Sequence, residues 1–225
     1  MIRLLIILTL SMFVHPASAA LVYSFSEANY EVTAGSTVDV TVFLQQQDAT
    51  GDPIDLTIDG LVSAGVRVTF DTTPPSDRAE VLLEADITPN PLFDDTSFGP
   101  EFDLVAGESA GFVDSVDDVF APITGNNILL GTFRFTAGSV IGEVTNVRAV
   151  DFGIDDDTFA GDFDFTILDG AIGQGISTIT VTAVPEPSSL GLLLVGGTVV
   201  VMSRRRRRRR KSVESFDVFH ATRSH

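Results

Sequence analysis

Along much of this chain apolar residues recur at every second position, and that period limits the architecture more than any other property. Between Ser36 and Leu44, Val38, Val40, Val42 and Leu44 share one face, with Asp39 and Thr41 opposite. Gly65 to Asp71 sets Val66, Val68 and Phe70 against Arg67 and Thr69, and Leu129 to Phe135 sends Phe133 and Phe135 inward and Arg134 outward. Ile176 to Ala183 places Ile179, Val181 and Ala183 opposite Thr178, Thr180 and Thr182. Successive side chains of an extended strand point to opposite faces, so this pattern describes half-buried strands, and no stretch sustains helical periodicity. With Leu21 to Ser26, Ala79 to Glu84, Glu143 to Val150 and Phe163 to Leu168 added, about eight strands are expected. Ala34-Gly35-Ser36, Asp59-Gly60, Pro74-Pro75-Ser76, Pro89-Asn90-Pro91, Gly125-Asn126-Asn127 and Asp169-Gly170 supply reversal points between them. Short alternating strands without crossover helices imply an all-β fold, a single antiparallel β-sandwich of jelly-roll type. Phe93 to Val119, rich in Asp and Gly, is expected to form long loops.

The two ends of the chain are of a different kind. Residues 1–19 combine a basic start at Arg3, an apolar core from Leu4 to Val14 and the small-residue cleavage site Ala17-Ser18-Ala19, with the cut expected before Ala20 by a signal peptidase. An apolar core of about 11 residues is too short to span a bilayer, so this segment reads as a signal peptide and the protein as exported. Near the other end, Pro185 and Pro187 exclude helix upstream of about Ser188, because proline lacks an N–H and pushes its predecessor out of the α region. Ser188 or Ser189 can cap a helix over 188–203, a stretch free of charge. Such a helix would run roughly 24 Å against a hydrocarbon layer of roughly 30 Å, a span completed by arginine stems reaching toward the headgroups. The cluster 204–211, Arg204, Arg205, Arg206, Arg207, Arg208, Arg209, Arg210 and Lys211, would hold that end in the cytoplasm.

In order and content, Pro185-Glu186-Pro187, a single apolar helix and an arginine cluster resemble the PEP-CTERM sorting signal of exported proteins of Gram-negative bacteria. The resemblance covers 184–211. It implies anchoring in the inner membrane, recognition by an exosortase, a membrane transpeptidase-like protease that removes the anchor near the Pro-Glu-Pro motif, and release to the cell surface or extracellular matrix. This chain departs from the pattern by continuing through 212–225, expected to be a short cytoplasmic extension. A plain tail anchor and a basic nucleic-acid patch are the competing readings of the arginines. The adjacent apolar helix and the acidity of the rest of the chain argue against nucleic acid.

The ectodomain, 20–183, must be stabilised by burial alone. The chain has no cysteine, so no disulfide can help, and its seventeen phenylalanines are the main bulky material for a core. From Ala20 to Pro187 the only basic residues are Arg67, Arg78, Arg134 and Arg148, against 29 acids. Such an excess repels nucleic acid and anionic membranes and attracts divalent cations. Asp155, Asp157 and Asp162, with Gly161 nearby, form the candidate calcium site, although their spacing does not follow the EF-hand pattern. No other cofactor is implied. A calorimetric calcium titration of the purified protein decides between that site and a solvated acidic loop.

The strand patterns Val38-Asp39-Val40-Thr41-Val42 after Ala34-Gly35, Gly65-Val66-Arg67-Val68-Thr69-Phe70-Asp71 and Leu129-Leu130-Gly131-Thr132-Phe133-Arg134-Phe135 look like those of a cohesin-like or carbohydrate-binding-module-like β-sandwich. That resemblance implies a surface for a dockerin-like protein or a glycan, but it transfers no binding residue, since the matched positions are core strands. The absence of tryptophan removes the usual sugar-stacking platform and leaves Tyr23, Tyr30 and the phenylalanines.

Catalytic chemistry finds few parts. The three histidines, His15, His220 and His225, all lie outside the ectodomain, which therefore has no imidazole base and, without cysteine, no thiolate or ordinary zinc site. Gly107-Glu108-Ser109-Ala110-Gly111 fits the spacing of a nucleophile elbow, but that device needs a strand-turn-helix setting and a histidine partner. Ser109 is expected to be a loop serine. A carboxylate pair is all that a glycosidase needs, and nothing among 29 acids marks one out. The leading expectation is a non-enzymatic exported protein, structural or adhesive, for which the resemblance to the sorting signal implies an exopolysaccharide or biofilm setting. The alternatives are a module binding a dockerin-like protein or a glycan, separable by pull-down and glycan array, and a carboxylate-pair glycosidase, separable by activity on polysaccharides.

Overall fold

A computed structural model of the chain describes residues 21–47, 54–70, 78–153 and 157–183. The chain divides into two units, Met1–Ala183 and Val184–His225, and only the first contains described residues. Its strands are, in chain order, β1 (Leu21–Phe25), β2 (Asn29–Thr33), β3 (Thr37–Gln46), β4 (Leu61–Phe70), β5 (Ile87–Pro89), β6 (Glu101–Val105), β7 (Ser109–Ser115), β8 (Asn127–Thr136), β9 (Val144–Val150), β10 (Phe159–Ala160), β11 (Ile172–Gly173) and β12 (Gly175–Thr182). They form two sheets. One has the order β11-β1-β3-β8-β5; the other runs β2-β12-β9-β4-β7-β6, with β10 also paired to β4. Neighbours are antiparallel except at β1/β11 and β2/β12, which run parallel.

Alternation decides what the sheets bury. Val40, Val42 and Leu44 of β3, Phe133 and Phe135 of β8, and Ile179 and Val181 of β12 point into one core between the sheets, while Asp39 and Arg134 pair on the outer face. Aromatic contacts join the layers: Phe70 of β4 meets Phe135 of β8 edge-on at 5.3 Å between ring centroids, and Phe112 of β7 lies 5.8 Å from Phe133 of β8. Between them, Gly131 keeps the layers close. A Cβ there would sit 2.8 Å from the Phe112 ring, closer than packed carbons can approach. The fold is thus the expected all-β sandwich, with more strands than alternation reveals.

The differences from the alternating pattern have local causes. The expected loop region Phe93 to Val119 contains the hairpin β6/β7, closed at Gly107, whose φ of 72° is easily reached only by glycine, and by a bond from the Glu108 amide to the Val105 carbonyl of 2.9 Å. In β7, Ser109, Ala110, Gly111 and Phe112 are all buried, so no alternation marks the strand. β4 starts at Leu61, earlier than Gly65, because Leu61 and Val62 are both buried. Ala79 to Glu84 makes only a bridge between Glu80 and Thr136 and then a 3-10 turn over Glu84–Asp86. Phe163 to Leu168 is not a strand. There Asp162 folds the chain back, its two carboxylate oxygens accepting from the Thr166 amide at 2.6 Å and hydroxyl at 2.7 Å.

Candidate functional site

Past the end of β9, Phe152 and Asp157 lie against the outer face of β4 and β7, where two glycines leave room for them. A Cβ on Gly65 would collide with the Asp157 carboxylate and the Phe152 Cβ, and a Cβ on Gly111 would come within 2.9 Å of the Phe152 ring. Arg67 closes over the same ring, its guanidinium carbon 5.1 Å from the centroid, while it pairs with Asp103 at 2.9 Å.

The same region gathers Asp151, Asp157 and Asp169. One carboxylate oxygen from each lies within 4.8 Å of the others, close enough to share a cation, and no other described set of ligand-type residues converges in this way. The backbone fixes them. Asp169 Oδ2 accepts from the amides of Asp157 at 2.9 Å and Thr158 at 3.3 Å, and Asp151 Oδ2 accepts from the Gly170 amide at 2.9 Å. The remaining oxygens, Oδ1 of Asp151 and of Asp169, are buried without a hydrogen-bond partner. Thr158, itself buried, donates to Asp157 Oδ1 at 3.1 Å and accepts from the Gly65 amide at 3.1 Å. Below them, the Tyr23 hydroxyl donates to the Gly65 carbonyl at 2.9 Å.

Three half-buried acids at this separation cannot all ionise cheaply. Burial first, then the hydrogen bond and charge of Asp169, push the Asp157 carboxyl up to about 7. Burial likewise raises Asp151 above the ordinary carboxylate range. Burial, and then the field of all three acids, holds the Tyr23 hydroxyl well above its ordinary value, so it stays neutral. Near neutral pH Asp157 is poised between its protonated and ionised forms, and the ionised form is the one able to take a hard cation through its carboxylate oxygens.

Of the expected calcium ligands Asp155, Asp157 and Asp162, only Asp157 belongs to this cluster. Asp155 lies outside the described residues, and Asp162 commits both oxygens to Thr166. Asp151 and Asp169 carried no signal of their own: one ends a strand, the other belongs to an Asp-Gly turn signal, and only the fold brings them to Asp157. Ser109, the serine of the elbow-like spacing, opens β7 directly after a hairpin turn and has no following helix. The cleavage residues Ala17 and Ala19, the motif Pro185, Glu186 and Pro187, the helix 188–203 and the cluster Arg204 to Arg210 lie outside the described residues. Among the described residues, no helix is long and apolar enough to cross a membrane.

Fold and chain ends together define a class, an all-β sandwich joined to a C-terminal sorting segment. Residues 183–209 match the PEP-CTERM protein-sorting motif, a mark of exported proteins. No curated protein matches the sequence. Among solved structures, the chain is similar to the seventh ScaB type I cohesin from Pseudobacteroides cellulosolvens, with 13% identity, covering 74% of this chain and 96% of that one, at a TM-score of 0.49. It is also similar to a cohesin–dockerin complex from Clostridium thermocellum, with 13% identity, 70% and 99% coverage and a TM-score of 0.47. A third is the sixth cohesin of scaffoldin B from Acetivibrio cellulolyticus, at 15%, 71% and 99%, and 0.47.

Proposed function

We propose that this chain is the precursor of a non-enzymatic cell-surface or extracellular-matrix protein, structural or adhesive in an exopolysaccharide or biofilm setting. The observation that carries the reading is the sorting-motif match over residues 183–209, which takes in Pro185-Glu186-Pro187 and most of the arginine cluster. In this reading signal peptidase cuts after Ala19, the segment 188–203 holds the precursor in the inner membrane with Arg204 to Arg210 on the cytoplasmic side, and an exosortase cuts near the Pro-Glu-Pro motif. The strong acidity of the sandwich supports a role outside the cell, since it keeps the released domain soluble and off anionic surfaces. Mass spectrometry of the protein recovered from envelope and medium of an exosortase-bearing bacterium tests it. The expected mature chain starts at Ala20 and lacks Arg204 to Arg210. Intact arginines on the surface-exposed protein, or an untrimmed chain in the cytosol, would overturn the proposal.

A further inference from the structure

One end of the sandwich carries large apolar side chains that the core does not use. Ile58 is 74% exposed, Phe120 90% and Phe163 98%, each on a different loop. The bases of those loops are tied together. Leu61 and Ile123 exchange backbone hydrogen bonds at 2.9 Å, the Gly161 amide donates to the Gly60 carbonyl at 3.1 Å, and a Cβ on Gly161 would touch Pro122. Loops fastened at their roots thus present three bulky apolar side chains to solvent at this end, and monomeric proteins rarely expose large apolar surface without a use. Beside Phe120 is a groove of about 550 Å³, with Leu92, Pro122 and Ile123 on its apolar side and Asp94, Asp117 and Asp118 on its acidic side.

Charge selects the occupant. The loops 54–60, 90–99, 116–126 and 161–167 contain no Lys, Arg or His, whereas every one of them contributes aspartates. Asp94 and Asp118, both exposed, accept from the amides of Asp117 at 3.1 Å and Phe120 at 3.0 Å. An apolar floor rimmed by carboxylates complements a chain that alternates cationic and apolar side chains. It repels polyanionic glycans and anionic lipid, and its tips offer neither the indole nor the hydroxyl donors that an uncharged sugar would need.

We propose that this loop end is a docking surface for a cationic polypeptide segment bearing apolar side chains. The test uses the full chain in mild detergent and a short fluorescein-labelled lysine–leucine peptide, with a glutamate–leucine peptide as the control. The lysine peptide binds the wild type, and its affinity falls with added salt. The variant I58S/F120S/F163S, unchanged in charge, weakens binding by about tenfold or more, as does D94N/D117N/D118N. All six positions are solvent-exposed, and circular dichroism melting confirms that each variant is folded; if one variant fails to fold, the other decides. Absence of lysine-peptide binding, or binding that survives both sets of substitutions, overturns the proposal, the latter showing attraction to the acidic surface at large. Equal binding of the glutamate peptide overturns it too. So does a wild-type dimer, seen by sedimentation without peptide binding and lost in I58S/F120S/F163S, which would make a second copy the occupant. Capture by zwitterionic vesicles in place of the peptide would make it lipid.

Discussion

Asp157 presses against the bare backbone of Gly65 with Asp151 and Asp169 close by, and its proton answers to the fold. Its folded pKa of about 7 stands above the ordinary carboxylate value of 3.8, so between these limits the native chain binds a proton that the unfolded chain has released. Stability therefore falls as pH rises through that window, and the loss is complete above about 7. Asp114, raised chiefly by burial, adds to the same slope at its lower end, while Asp55 and Asp95, lowered chiefly by bonds from their own loop neighbours, oppose it at more acidic pH. Urea denaturation of D157N and wild type across this range gives the readout: D157N, neutral throughout, flattens the profile and is the more stable of the two at about pH 8. An equally steep profile in D157N would place the titrating group elsewhere. Gly65→Ala destabilises by about 1–3 kcal/mol, because the added methyl must displace Asp157 or Phe152, and a melting curve at neutral pH measures it. None of this was legible in the sequence. Asp157 was noticeable in an acidic run, but its partners Asp151 and Asp169 lie six and twelve residues away along the chain, and only the fold closes that distance.

Among the elements, β8 shows why some strands are readable and others hidden. Its Phe133 and Phe135 are buried and Arg134 between them is exposed, because one face meets the core and the other meets solvent, while a bulge opposite Val42 and Phe43 re-phases the strand so that Ile128 and Leu130 are buried too. Period two follows from that asymmetry. β7 lies under Phe152 on its outer side and against Phe133 on its inner side, so both faces are covered and Ala110-Gly111-Phe112 carries no alternation. The two-residue strands β10 and β11 are too short to hold any period. Glycines record contacts that periodicity misses, and Gly131 is the sharpest case. Gly131→Ala costs about 1–3 kcal/mol through the clash with the Phe112 ring. Phe112→Ala costs about 3–5 kcal/mol by leaving a cavity. Their effects are not additive: in the Phe112→Ala background the Gly131 methyl has space, so the double variant loses less than the sum, as urea denaturation of all four proteins in the cycle shows. Additive losses would place the strain on the Thr88 carbonyl, the other atom 2.8 Å from the added carbon.

For the whole molecule, the balance of charge outweighs any single pair. Four arginines face 29 acids between Ala20 and Pro187, and the ion pairs Arg67–Asp103 and Arg134–Asp39 are both at least a third exposed on each side. Exposed pairs of this kind contribute about 0–1 kcal/mol each, so screening them removes little. The repulsion among the acids is spread over the entire surface and opposes the compact state at every distance shorter than the Debye length, about 30 Å at 10 mM salt and about 3 Å at 1 M. With no disulfide to limit the unfolded chain, relief of that repulsion passes directly into the folding equilibrium. Raising sodium chloride from about 10 mM to about 500 mM therefore raises the thermal midpoint, the opposite of what a protein held by surface salt bridges would show. Most of the gain comes below about 150 mM, where the screening length shrinks fastest, and sodium sulfate gives a further rise at equal ionic strength through stronger apolar burial. A midpoint that stays flat or falls across the chloride series would mean that bound cations already neutralise the acidic surface at low salt. Adding a chelator at about 10 mM salt separates the two cases, since it lowers the midpoint only where divalent ions are held.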